Sequence, residues 1–159
     1  MAFRSSLEDE KIVIRAMTEA DYDGVRRLWM SIRHLGIRSI DDGRESIGRF
    51  LRRNPGISVV AVRENEIVGS ILCGHDGRTG CFYHVCVKED FRRQGIGSRM
   101  VRWAVEALNA EKISKISLFA FVDNVIGNDF WRQLGFRRRE DMFNYEWQLN
   151  KEDITSFNQ

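Results

Sequence analysis

The chain has 159 residues, 43% of them hydrophobic and 30% charged, which is typical of one globular domain with a core of its own. A net charge of +2 gives no support for binding nucleic acid or a membrane surface. The sequence has no stretch long and apolar enough for a membrane helix and no signal-peptide core. With only three cysteines and no C-x-x-C pair, we expect free thiols in a cytoplasmic protein.

The spacing of apolar residues predicts one α/β or α+β domain, with elements in the order β-α-α-β-β-β-α-β-α-β. The predicted strands cover residues 11–16, 57–62, 67–73, 81–87, 113–121 and 141–149. Thr18, with Asp21 in a capping-box position, opens the first helix, and Asp41 or Asp42 opens the second. The later helices are predicted over 95–110 and 124–134. Residues 1–10 and 151–159 are predicted to be weakly ordered tails.

The most informative stretch is the turn of residues 92–98, which follows a V-x-V strand and opens the third helix. It reads Arg-Arg-Gln-Gly-Ile-Gly-Ser. The first N–H groups of a helix lack intrahelical partners, and glycines let a phosphate approach the backbone closely. Neither the P-loop nor the dinucleotide G-x-G-x-x-G pattern is present. The turn therefore indicates a site for a pyrophosphate, with a solvated basic turn as the alternative.

A second pattern lies at residues 124–136, Asn-Val-Ile-Gly-Asn-Asp-Phe-Trp-Arg-Gln-Leu-Gly-Phe. Together with R-x-x-G-x-G it resembles the GNAT superfamily of N-acetyltransferases, whose pattern here is N-x-x-A-x-x-[FL]-Y-x-x-x-G-F. Asn124, Phe130, Gly135 and Phe136 match in register, and Gly127 replaces the small alanine. The element order also matches this family, two helices after the first strand included.

The resemblance covers about residues 11–149 and implies a mixed, mostly antiparallel twisted sheet flanked by about four helices. It implies direct transfer of an acetyl group from acetyl-CoA to a primary amine, without a metal. In this family the loop amides bind the CoA pyrophosphate, and the preceding strand hydrogen-bonds the pantetheine arm. The cofactor-binding residues that the resemblance implies are Val85, Cys86, Val87, Arg92, Arg93, Gln94, Gly95, Ile96, Gly97, Ser98, Asn124 and Trp131. Asn124 alternatively only caps the helix that it opens.

The chain departs from the family at Trp131, where many members carry a tyrosine that protonates the departing CoA thiolate. An indole does not ionise usefully and cannot act as that acid. The catalytic candidates are His84 and Tyr83 on the central strand, expected to point to opposite faces, with Tyr145 on the last strand as a third. Cys86 is a weaker candidate, a nucleophile without an activating partner.

Trp131 also favours a rival hypothesis, a non-catalytic or weakly catalytic acyl-CoA-binding sensor or interaction protein. The acceptor, a small-molecule or peptide amine, is expected near the first two helices, the loop of residues 34–42 and the final hairpin. His34, Arg38 and Arg44 there hint at an anionic group on the acceptor, against the alternative of exposed helix charges. Nucleic-acid and membrane partners are not expected, and exposed strand edges leave room for a homodimer.

Two further hypotheses concern the cysteines. Cys73 and Cys81 flank the predicted hairpin turn symmetrically, so they could face each other as an oxidised pair. Together with His75 and His84 they also suggest zinc, but residues 81 and 84 lie on opposite faces of a strand, which argues against a site.

Overall fold

Seven strands and four α-helices make up residues 11–159, the part of the chain that this computed structural model describes. The strands are β1 (Val13–Ala16), β2 (Gly36–Arg38), β3 (Val59–Arg63), β4 (Glu66–His75), β5 (Gly80–Val87), β6 (Ile116–Ser117) and β7 (Thr155–Phe157). The helices are α1 (Tyr22–Ser31), α2 (Arg44–Arg53), α3 (Ile96–Ala110) and α4 (Val125–Gln133). The predicted tail at 1–10 lies outside the described residues.

Five strands form the central sheet, in the order β1-β3-β4-β5-β6. Every neighbouring pair is antiparallel except β5 and β6, which run parallel. This confirms the predicted mixed α/β fold with four helices. Within residues 11–159 no helix is long and apolar enough to cross a membrane.

Each face of the sheet is covered by a separate hydrophobic core. On one face α3 packs Met100 against Val59 and Ile71. On the other, α1 and α2 cover Val60, and Trp29 of α1 is fully buried there. Burial on both faces explains why β3 has an almost continuous apolar sequence instead of a simple alternation.

The C-terminal part of the chain differs most from the prediction. Residues 141–149 do not form the predicted final strand, and the 151–159 segment is not a loose tail. Instead β7 pairs with β2, a short strand within the connection between α1 and α2. The buried carboxylate of Asp153 accepts hydrogen bonds from the amides of Ile40 (2.7 Å) and Asp41 (3.2 Å). The Asn158 side chain donates to the carbonyls of Trp29 and Ile32. Available backbone partners, rather than strand propensity, therefore decide where this strand forms.

Two other boundaries also differ. The predicted strand at 113–121 is reduced to β6, because only Ile116 and Ser117 find partners on β5. The second helix is capped by Gly43 rather than by Asp41 or Asp42. The cap predicted for the first helix is present. The Asp21 carboxylate accepts a hydrogen bond from the Thr18 amide (2.8 Å) at the 3-10 turn that precedes α1.

Candidate functional site

The glycine turn connects β5 to α3 in a conformation that few sequences adopt. Arg93 and Gly95 both have left-handed backbones, with φ of 62° and 77°. Gly95 is the N-cap of α3 and provides no side chain, so the first amides of the helix lack a side-chain acceptor. A Cβ at Gly97 would lie 3.2 Å from the Phe130 ring, so this position keeps α4 close to the first turn of α3. The turn thus presents free helix amides at the protein surface.

The turn residues differ in their exposure. Arg92, Arg93, Gln94 and Gly95 are exposed, Gly97 and Ser98 are partly buried, and Ile96 is buried in the core. The Arg92 Nε donates to the carbonyl of Val87 (3.0 Å), which ties the rim of the turn to the end of β5. The predicted phosphate-binding residues are therefore adjacent to the predicted pantetheine strand.

A gap opens between β5 and β6 beyond their first residues. The two strands pair only at Gly80 with Ile116 and Cys81 with Ser117. On its other side β5 stays paired with β4 as far as Val87. The later half of β5, which includes Val85 and Val87, therefore has one edge without a strand partner in the described chain. This edge leads directly to the glycine turn.

Helix α4 lies beside the gap between β5 and β6, on the side of β6. The Asn124 side chain caps it, accepting from the Gly127 amide (3.1 Å), as the sequence predicted. A Cβ at Gly127 would contact the Asn124 side chain, so a larger residue there would require the capping side chain to move. Trp131 packs against Phe130 and Phe136, with ring centroids 4.9 and 5.0 Å away. The indole therefore packs against the hydrophobic core.

His84 and Tyr83 lie on the same face of the sheet, contrary to the prediction. On β4, Ser70 pairs with Cys86 and Leu72 pairs with Tyr83, so two residues of β5 oppose Ile71 alone. This is a β-bulge, and His84 has a left-handed φ of 48° within it. The Tyr83 ring lies 6.1 Å from that of Phe50 on α2, and the His84 ring 4.7 Å from that of Trp29 on α1.

A buried carboxylate that the sequence analysis did not single out for the site holds His84. Asp42 Oδ1 lies 2.7 Å from His84 Nε2, and the other oxygen accepts from the Arg38 amide at 2.7 Å. Asp42 is only 4% exposed. A carboxylate can only accept, so the His84 Nε2 carries the proton and Nδ1 keeps the lone pair. The two residues are 42 positions apart, and no local motif connects them.

Two side-chain hydrogen bonds hold the backbone of the bulge in place. The Trp29 indole donates to the Ser70 hydroxyl (3.0 Å), which in turn donates to the His84 carbonyl (3.2 Å). Both the backbone and the ring of His84 are thus fixed by neighbours. Such support is what a functional side chain needs in order to keep one orientation.

The thiols do not form the arrangements considered from the sequence. Cys73 pairs with Phe82, and Cys81 with Gly74, so the two cysteines occupy opposite faces of the hairpin. All three cysteines are free. Among the described residues no three candidate metal ligands come together. Burial raises the pKa of the Cys86 thiol to about 11, which leaves it without the thiolate that a nucleophile requires.

This burial predicts the order in which the thiols react. Burial also raises the pKa of Cys73 to about 12, whereas Cys81 is partly exposed. We expect an aromatic disulfide reagent to modify one thiol rapidly in the native protein and the other two only after unfolding. Cys81→Ser should abolish the rapid phase, and Cys73→Ser, as the control, should leave it intact. Two rapidly reacting thiols would contradict this assignment.

The charged residues predicted on the acceptor side have partners of their own. Arg38 pairs with Asp41 (2.9 Å) and with the buried Asp153 (2.8 Å). Arg44 pairs with Asp23 and lies over the Tyr22 ring. Two of the three basic residues thus serve the connection between α1 and α2, and they give no support for an anionic group on the acceptor.

Comparisons with known proteins agree with this geometry. Residues 21–136 match the acetyltransferase (GNAT) family. The chain is 35% identical to an acetyltransferase of Pectobacterium atrosepticum over 116 residues, 72% of this chain and 81% of that protein. Its fold is similar to that of PaiA N-acetyltransferase from Thermoplasma acidophilum in complex with coenzyme A (TM-score 0.70, 13% identity, covering 94% and 99% of the two chains). It is also similar to AAC(6')-Iy in complex with the bisubstrate analogue CoA-S-monomethyl-acetylneamine (TM-score 0.68, 16% identity, covering 87% and 99%). The chain therefore belongs to the GNAT family of acetyltransferases and is an acyltransferase.

Proposed function

We propose that this protein transfers the acetyl group of acetyl-CoA to a primary amine. The observation that carries the proposal is the unpaired edge of β5, which runs into the uncapped amides at the start of α3. An extended pantetheine arm could bind that edge as an added strand, and the amides could bind the pyrophosphate. The two structural neighbours described above were solved with coenzyme A or a CoA-containing analogue, which supports the same assignment.

The residues present fit such a ligand. The rim of the turn carries the positive charge of Arg92 and Arg93, and the helix dipole adds to it. Gly97 adds no side chain to the first turn of α3, where a Cβ would lie 3.2 Å from the Phe130 ring. Asn124 caps α4 and Trp131 lies on it, beside the gap, where we place the contacts with the pantetheine arm.

We assign the role of general base to His84. The attacking amine must lose a proton to become nucleophilic, and imidazole is suited to accept one near neutral pH. Asp42 holds the proton on Nε2, so Nδ1 is the atom that would accept the amine's proton, directly or through a water molecule. The thioester supplies the reactive carbonyl, and the enzyme contributes mainly by holding the two reactants together.

Tyr83 is our candidate for the acid that replaces the usual tyrosine at position 131. Its pKa is raised to about 12, chiefly by a hydrogen bond with Cys81 and then by burial, so the phenol keeps its proton at neutral pH. It is 48% exposed and lies on the same face as His84. A protonated phenol on this face can give its own proton to the leaving thiolate and regain one from solvent, while His84 releases the amine's proton to solvent. The acceptor, an amine on a small molecule or a peptide, would approach from the face of the sheet that α1 and α2 cover.

The first experiment is thermal unfolding with and without acetyl-CoA. A ligand that binds only the folded state raises the midpoint according to its concentration and affinity. We expect a rise with acetyl-CoA, followed by release of free CoA when amines such as polyamines, aminoglycosides and peptides are added. No rise at millimolar acetyl-CoA would overturn the cofactor site. A rise without CoA release from a broad amine panel would overturn the proposed reaction and leave the binding site standing.

A further inference from the structure

A basic depression lies at the end of the sheet opposite the glycine turn. It has a volume of about 390 Å³ and lies between the turn that joins β4 to β5 and the segment that follows α3. The residues that line it are polar, charged or glycine: Gly77, Arg78, Thr79, Lys112, Ser114 and Lys115. The lining thus provides three cations and two hydroxyl donors, with no carboxylate and no apolar residue among its described members.

The three cations of this basic depression have no counter-ion of their own. Within residues 11–159 none of them lies within ion-pair distance of a carboxylate. The adjacent carboxylates bind other groups. Asp76 Oδ1 accepts from the amides of Arg78 and Thr79 (both 2.8 Å), and Glu111 lies 3.1 Å from the His75 ring. A concave surface lined by one sign of charge attracts the opposite charge, so the depression favours an anion.

Lys112 occupies the depression in a backbone conformation that suits glycine. It follows α3 with φ of 63°, and its amide donates to the Asn109 carbonyl (3.0 Å) while the Ile113 amide donates to that of Leu108 (3.1 Å). Glycine is the common residue at such a helix end, because it has no Cβ to strain the left-handed backbone. A lysine within the last turn would serve the helix dipole as well without this strain. A ligand for its ammonium group explains why a lysine stands at this position.

The two sides of the depression are held together by the sheet. The Gly80 amide donates to the Lys115 carbonyl (2.9 Å), and the residues that follow pair as β5 and β6. The β4–β5 turn is fixed further by the Gly77 amide, which donates to the Nδ1 of His75 (2.9 Å). The backbone that carries the cations is therefore in place before any ligand binds, which lowers the entropic cost of binding.

The depression is separate from the proposed cofactor and acceptor sites. The glycine turn precedes α3 and Lys112 follows it, so the 15 residues of the helix place the two sites about 22 Å apart. The His84 ring packs against Trp29 of α1, on the face of the sheet that α3 does not cover. A molecule in the depression is therefore neither the CoA pyrophosphate nor the amine that receives the acetyl group.

We propose that this depression binds a small polar molecule through a phosphate or diphosphate group, as a second ligand of the enzyme. A guanidinium such as that of Arg78 can bind two phosphate oxygens at once, and the two lysines add point charges. The volume of about 390 Å³ is within the range of small-molecule pockets, which leaves room for a polar group such as a sugar beside the phosphate. This inference does not depend on the proposed reaction.

Titration calorimetry with inorganic pyrophosphate at low salt is the test. It uses a chain that carries Gly95→Glu, so that a carboxylate occupies the glycine turn, and we expect one pyrophosphate to bind per chain. Adding Arg78→Gln with Lys112→Gln should raise the dissociation constant at least about tenfold. Arg33→Gln with Arg53→Gln, the control, removes the same charge from two exposed arginines outside the depression and should leave binding unchanged. No binding at millimolar pyrophosphate, or equal losses in the two double variants, would overturn the proposal.

Lys112→Gly separates binding from the structural role of this residue. Glycine adopts the left-handed backbone without strain, so we expect the melting temperature to rise by about 2 °C. The same variant loses one cation of the depression and should raise the dissociation constant for pyrophosphate about threefold. A variant that gains stability but binds pyrophosphate as tightly as the wild type would show that Lys112 only ends the helix, and would overturn the site.

Discussion

Gly95→Glu should raise the dissociation constant for acetyl-CoA by on the order of a hundredfold and abolish the thermal shift that the ligand produces. Two effects act together. The new carboxylate stands at the N-cap of α3, where the proposed pyrophosphate site needs positive potential. The backbone there has φ of +77°, which costs an L-residue about 1–2 kcal/mol.

Gly56→Glu is the matched control for this variant. Gly56 has the same φ of +77°, and, as at Gly95, a Cβ there would meet no atom within 4 Å. Both variants should lose similar thermal stability, but only Gly95→Glu should lose binding, as measured by titration calorimetry. Wild-type affinity in Gly95→Glu would remove the glycine turn from the cofactor site.

His84→Gln should lower kcat by about a hundredfold, the scale of a lost general base, while acetyl-CoA binding is retained. A glutamine side chain can still bond to Asp42, which preserves the link between β5 and the loop before α2. It cannot take up a proton at neutral pH. The increase of kcat/KM with pH that accompanies deprotonation of an imidazole should therefore disappear in the variant.

His75→Gln is the control for this second prediction. His75 also lies on the central sheet beside a carboxylate, Glu111 at 3.1 Å, but at the opposite end of the hairpin from the glycine turn. Its replacement should leave kcat and the pH profile unchanged. If His84→Gln keeps both the wild-type kcat and the wild-type pH profile, His84 only fixes the loop. A lower kcat with the profile intact would make it a positioning residue.

The parts of the site that depend on neighbours in sequence could be predicted. The turn around Gly95 and the cap at Asn124 rest on contacts within a few residues, and both form as expected. Asp42 could not be found in this way, because α2, β3, β4 and the first part of β5 lie between it and His84 in the sequence. The bulge that brings Tyr83 and His84 to one face could not be predicted from the residue types either, because it depends on how β4 aligns with β5.

The prediction of a final strand over residues 141–149 was wrong for a different reason. Residues 141–149 have the alternation of a strand, but a pattern shows only which face would be buried and not whether a partner strand is available. Residues 155–157, Thr-Ser-Phe, are too short and too polar to show the alternation of a strand, and yet they pair with β2. Pairing over more than a hundred residues is decided by tertiary contacts that strand propensity does not contain.

The pairing of β2 with β7 also has a consequence for folding during synthesis. Every other strand of the described domain is followed or preceded by its partner within about sixty residues, but Gly36–Arg38 must wait for Thr155–Phe157. Until that segment has left the ribosome, the Asp153 clamp on the loop before α2 is missing too. We therefore expect the loop that presents Asp42 to His84 to become ordered last, after the rest of the domain has already formed.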